Sequence, residues 1–139
     1  MRRLKSFLRD RSGASAVEFA IIVPVLAAAL AGGFDIWQMV NRKQDMHAAV
    51  AAGVHYYMAG GADDPTGQSI SLSSWSHKPS DGTVAIARAC ICGGVAASCT
   101  VVCAATQQAP EVRVTVTANS QWTGLRPAPL TESEVVRVR

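Results

Sequence analysis

The chain has 139 residues, 49% of them hydrophobic, four cysteines and a net charge of +3 at pH 7. That length admits one small domain plus an appendage. Before Gly13, Arg2, Arg3, Lys5, Arg9 and Arg11 stand against Asp10, a balance of +4, and the remainder balances at −1; this argues against nucleic-acid binding by the body, because phosphate neutralisation needs a folded basic patch.

Met1–Gly13 reads as a basic leader. A short basic run beside an apolar segment is a topology signal, and positive residues stay on the cytoplasmic side. The apolar segment runs from Ala14 to Phe34, with Glu18 its only charge. As a helix rising about 1.5 Å per residue it reaches roughly 31 Å, the thickness of a hydrocarbon core. The reading is a single transmembrane helix with its amino terminus inside and the rest of the chain outside the cytoplasm. Pro24 removes one backbone hydrogen bond and is expected to bend this segment. Glu18 is anomalous, since a charge in lipid costs about 2.5–3.5 kcal/mol on insertion scales.

The helical pattern continues beyond the apolar segment to about Met58 without another proline. Ile36, Met39, Val40, Lys43, Met46, His47 and Val50 follow 3–4 spacing and form an apolar stripe interrupted by Lys43. Trp37 falls near the membrane exit, where indole favours the interface. Gly60–Gly67 reads as a helix break and a linker or tight loop. Ser69–Trp75 is a weak alternating run. Thr83–Cys92 and Cys99–Cys103, flanking Gly93-Gly94, read as a hairpin with a loose loop. In Glu111–Thr117, Val112, Val114 and Val116 share one face, the clearest strand of the chain. Gln121–Pro129 reads as a connection and Glu134–Arg139 as an edge strand. Trp75 and Trp122 read as core residues. The fold class is therefore α+β: a leader over 1–13, a long helix over 14–58 with its transmembrane part at 14–34, and an extracytoplasmic antiparallel β domain over 59–139.

Cys90, Cys92, Cys99 and Cys103 cluster on a small exported domain, where an even number of cysteines suggests disulfide staples. If all four lie on paired strands, a constant-sum register favours Cys92–Cys99 with Cys90–Cys103. A zinc site is disfavoured because zinc motifs usually put two residues between paired ligands. His47 and His55 stand eight apart, not at the i, i+4 spacing of a helical metal pair. Ser73, Ser74 and Ser76 near His77 and Asp81 suggest a triad only loosely, without a nucleophile elbow. No catalytic residue, metal or cofactor is assigned.

Gly13, then Ala-Ser-Ala-Val, then Glu18 and Phe19 at the fifth and sixth positions, with Pro24 downstream, resembles a class III prepilin-peptidase site. With Phe34-Asp35 and the Ala-rich stretch 48–53, residues 12–56 resemble TadE-like proteins, minor pilin-like components of the tight-adherence (Flp) pilus machinery. The resemblance implies a pilin-like fold, no enzymatic activity, and cleavage between Gly13 and Ala14 by a prepilin peptidase. It implies assembly roles for Glu18, Phe19 and Pro24, with Glu18 meeting the new ammonium of Ala14. The partners it implies are other Tad pseudopilins, the major Flp pilin and the inner-membrane pilus platform. It places the chain in a bacterial inner membrane, with the domain in the periplasm or in the extracellular pilus. Two rivals stand beside it. One is a secretory signal cut after Ala29-Leu30-Ala31, which would release or expose an adhesive or binding domain. The other is an uncleaved anchor. The mature chain would begin at Ala14, Gly32 or Met1 respectively.

Overall fold

The structure, a computed structural model, describes residues 12–138, with side chains from residue 16 onward. Residues 1–11 of the basic leader and Arg139 lie outside the described residues, and Gly13 and Ala14 are described in backbone only. The chain divides into two compact units, Met1–Gln38 and Met39–Arg139.

Helix α1 spans Ser12–Met58 and remains helical through Pro24. Its apolar part has a mean hydropathy of 2.1, and none of that stretch is buried inside the protein, so α1 is long and apolar enough to cross a membrane. The helix ends where Gly60 turns to φ 91°. Gly60 N–H donates to the Tyr57 carbonyl and Gly61 N–H to the Tyr56 carbonyl. This paired closure needs a residue that tolerates positive φ, which glycine does without penalty.

The expected linker and the expected strand at Ser69–Trp75 are both corrected. A second helix, α2, occupies Asp64–Ser74. Asp63 is its N-cap, with Oδ2 accepting from Thr66 N–H at 2.8 Å. Pro65 stands in the first turn, where its missing N–H costs nothing, and Asp64 complements the helix dipole there. These start signals outweigh the low helix propensity of Gly67 and the serines.

Four strands follow: β1 Thr83–Cys92, β2 Val95–Ala97, β3 Glu111–Trp122 and β4 Ala128–Val138. They form one antiparallel sheet in the order β2-β1-β3-β4. The β1–β2 turn is tight rather than loose. Cys92 pairs with Val95, leaving only Gly93 and Gly94 to turn, at φ 59° and 89°, as a two-residue hairpin that matches strand twist demands. The strand expected at Cys99–Cys103 is instead irregular chain. The expected connection at Gln121–Pro129 shrinks to residues 123–127, because β3 reaches Trp122 and β4 starts at Ala128, pairing Trp122 with Ala128.

One face of the sheet packs on the helices. Val84, Val114, Val116, Ala118, Trp122, Leu130 and Val136 enclose a core with Met46, Ala49, Val50, Val54 and Tyr57 of α1 and with Trp75. Both core tryptophans stand where the sequence pattern put them. The helical stripe is rotated from the expected one. Met46 and Val50 are buried, Met39 is half-buried, and Ile36, Val40, Lys43 and His47 are exposed. The inward seam runs instead through Ala49, Gly53, Val54 and Tyr57, because the small residues at 49 and 53 admit close approach. A methyl added at Gly53 would overlap the Ser71 hydroxyl of α2 and press on Val116.

The disulfides are Cys90–Cys99 and Cys92–Cys103, with Cα separations of 5.2 and 5.4 Å. This corrects the pairing expected from register. Cys90 faces Ala97 across the ladder, and the chain leaves the strand there, so Cys99 folds back to Cys90. Cys103 returns to Cys92 through a local turn in which Gln107 N–H donates to the Cys103 carbonyl and Cys103 N–H to that of Gln108, both at 2.8 Å. A constant-sum register holds only while both chains are strands.

Candidate assembly surfaces

In the first unit, α1 is apolar on every side. Phe19 is 69% exposed and Leu30 73%, and every residue from 16 to 31 is exposed. A helix that is hydrophobic all round needs lipid or other helices as its surroundings. Glu18 is exposed among these apolar side chains, one helical turn beyond Ala14. Phe34 and Trp37 stack with ring centroids 5.7 Å apart. Nothing lies within 4 Å of a methyl built at Gly32 or Gly33, so neighbouring helices can approach closely there.

In the second unit, the direction of α1 against the sheet follows from its contacts. Arg42 Nη1 donates to the Gln121 carbonyl at 3.1 Å, and its guanidinium lies 5.1 Å from the Trp122 ring centre. Further along, His47 Nδ1 stands 3.4 Å from Glu132. At the far end the Arg88 guanidinium lies 5.5 Å from the Tyr57 ring centre. Since Arg88 pairs with Val114, α1 runs lengthwise along β3 in the opposite sense. The disulfide-bonded hairpin therefore stands at the end of the sheet remote from Met39. The segment 89–110 that forms it contains no charged residue, and Val95, Val101 and Val102 are exposed on it.

The corner between α1, α2 and β1 holds a polar cluster that pattern reading missed. Tyr57 Oη donates to Asp64 Oδ1 at 2.8 Å. Arg88 Nε donates to both Asp64 oxygens at 2.8 and 2.9 Å, and its Nη2 donates to the Ala62 carbonyl. Burial, then the bond to Asp64, pushes the Tyr57 phenol up to about 12. The Arg88 bonds hold the Asp64 carboxyl below its ordinary value, and Thr66 does the same to Asp63. On the sheet, Arg113 lowers Glu111. The Asp-Asp-Pro start of α2 was the available signal for this corner; the arginine comes from β1 and leaves no local trace.

The loosely triad-like residues are not brought together. Ser73 Oγ donates to the Ile70 carbonyl at 2.9 Å, His77 Nδ1 stands 3.5 Å from Asp45, and Asp81 accepts from Gln121 N–H. His47 meets Glu132 rather than His55. All four cysteines are consumed in disulfides.

A family model described as TadE-like protein matches residues 13–55. The match begins at the Gly13 junction, follows α1 through Glu18, Phe19, Pro24 and the exposed apolar turns, and ends three residues before the helix does. It includes the residues on which the resemblance was read, and it includes none of the sheet. No curated protein matches the chain. No solved structure matches it either.

Proposed function

We infer that this chain, TadE-like over residues 13–55, is a minor pilin-like component that assists assembly or priming of a tight-adherence pilus. The observation that carries the reading is the coincidence of the family match with a helix whose apolar surface is uncovered among the described residues. In this reading α1 is a single-pass anchor in a bacterial inner membrane, amino terminus cytoplasmic, with the sheet domain in the periplasm. Its work is association rather than chemistry, and its partners are other Tad pseudopilins, the major Flp pilin and the inner-membrane pilus platform.

A prepilin peptidase cuts between Gly13 and Ala14 and leaves an ammonium on Ala14. Glu18, one turn away, supplies the carboxylate that meets it on the same or a neighbouring subunit. Opposite charges attract strongly where the dielectric is low, and an unmatched one there is costly. The pair therefore favours helices side by side and in register. Phe19 and Pro24 shape the surface along which they meet.

The test is the amino-terminal sequence of the protein recovered from membranes of cells with and without the peptidase. Ala14 in the first and Met1 in the second is the expected result. A start at Gly32, or at Met1 in both, removes the cation on which the reading depends.

A further inference from the structure

The sheet has one long open edge. β4 is the terminal strand of the order β2-β1-β3-β4, paired with β3 over its whole length and with no strand on its other side among the described residues. Gln121 pairs with Pro129, but Gln121 N–H is taken by Asp81 and its carbonyl by Arg42. That pair is therefore one without mutual hydrogen bonds. By the alternation of an antiparallel ladder, the odd-numbered residues of β4 turn their backbone groups outward. Thr131, Ser133, Val135 and Arg137 thus present N–H and C=O to the open edge. Pro129, which has no N–H to offer, fits the same parity.

Beside this edge the helix is uncovered. A groove of about 300 Å³ between α1 and β4 is lined by Val40, Lys43, Gln44, His47 and Glu132. Val40 is 48% exposed, and further along the same flank Met58 is 66% exposed. A further strand beside β4 would cover this flank. Edge strands invite indiscriminate pairing, and inward-pointing charges are one way chains prevent it. β4 carries two. Glu132 reaches His47 on α1, and Glu134 pairs with the buried Val116 and so shares its face. Glu134 has no ionic partner among the described residues.

We propose that the open edge of β4 accepts an extended segment of a partner protein that carries one basic residue with an apolar residue two positions away on either side. The basic side chain meets Glu134. The apolar neighbours lie over Val136 and over the groove at Val40. The pattern reads the same in both directions, so it fits a parallel or an antiparallel partner. A second copy fits poorly. Another β4 brings only Leu130, Glu132, Glu134, Val136 and Val138 to the core-facing positions, with no cation for Glu134. The other edge strand, β2, has three residues.

The test uses the full chain in detergent micelles and a seven-residue peptide, Thr-Val-Thr-Lys-Thr-Val-Thr, blocked at both ends, with Glu replacing Lys in the control. Residue-resolved amide exchange is the readout. The Lys peptide at millimolar concentration should slow the Thr131, Ser133, Val135 and Arg137 amides at least tenfold, and the Glu peptide should not. Glu134→Lys should exchange the preference of the two peptides. Val135→Pro removes an outward donor and should abolish protection while leaving both disulfides formed. Unchanged exchange with the Lys peptide, or the same preference in Glu134→Lys, overturns the proposal. Protection of these four amides that grows with protein concentration and without peptide overturns it too, in favour of a second copy.

Discussion

The Arg88 guanidinium grips the Asp64 carboxylate through both oxygens, Nε standing 2.8 and 2.9 Å from them. The pair ties β1 to the start of α2 across 24 positions of sequence. Both side chains are partly exposed, 32% and 43%, and exposed pairs contribute only about 0–1 kcal/mol. Asp64 does more, because it also accepts from Tyr57, which is 1% exposed. Losing the acceptor for a buried hydroxyl costs about 1–3 kcal/mol. Asp64→Ala should therefore lower the thermal midpoint by more than Arg88→Met does. Equal losses in a calorimetric comparison would place the stabilisation in the ion pair alone.

The phenol of Tyr57 sets an alkaline limit. Its value in the folded protein is about 12 against an ordinary 10.0. The protonated form is favoured by folding, so this contribution is complete below pH 10 and is lost as pH rises towards 12. In acid the sign reverses. Asp63, Asp64 and Glu111 are held below their ordinary values. Their contribution is present above those ordinary values and fades as pH falls through the lowered ones. Thermal melts across pH should show a plateau between these limits. Tyr57→Phe should flatten the alkaline limb; an unchanged limb would assign it to another group.

Glu18→Ala should insert into membranes as the parent does, since it removes a charge from an apolar segment. It should co-purify less with the pilus components proposed above as its partners. Undiminished co-purification after membrane extraction would remove Glu18 from assembly.

Thiol mapping separates the two disulfide pairings. With Cys90–Cys99 and Cys92–Cys103, Cys103→Ser should expose Cys92 to alkylation and leave Cys90 protected. The register-based alternative would expose Cys90 instead. Each bridge closes a short loop and is worth about 2–3 kcal/mol by chain entropy, so Cys92→Ser with Cys103→Ser should lower the midpoint measurably without unfolding the core of α1 and β3.

At Gly53 two effects compete. Alanine gains about 1 kcal/mol of helix propensity over glycine. Its methyl, however, meets the Ser71 hydroxyl, which is buried and bonded to the Gly67 carbonyl at 3.0 Å, and presses on Val116. Overpacking of this kind costs about 1–3 kcal/mol, so Gly53→Ala should destabilise. The loss should shrink or reverse in a Ser71→Ala background. If the two changes act additively in denaturant unfolding, the close approach of α1 and α2 is not what glycine serves there.

The elements with a strong period were legible. The apolar run of α1 and the alternation of Val112, Val114 and Val116 each announce their own geometry, and Trp75 and Trp122 could hardly be anything but core. What escaped was decided by partners distant in sequence. Helix α2 hides among serines and Gly67 because its stability comes from an N-cap and from packing against Tyr57 and Gly53. The inward seam of α1 turns on which small residues another helix needs, not on the number of apolar ones. The disulfide pairing escaped because Cys99 and Cys103 sit past the end of a three-residue strand. Glu18 was conspicuous as an anomaly, and it stands exposed among apolar side chains.

Helix α1 lies lengthwise on β3 from Arg42 to Tyr57, so traction applied along its axis does not peel the sheet apart strand by strand. The load falls in shear on Met46, Val50, Val54 and Tyr57 together. Pulling on this part of α1 therefore loads the whole seam at once rather than one contact after another.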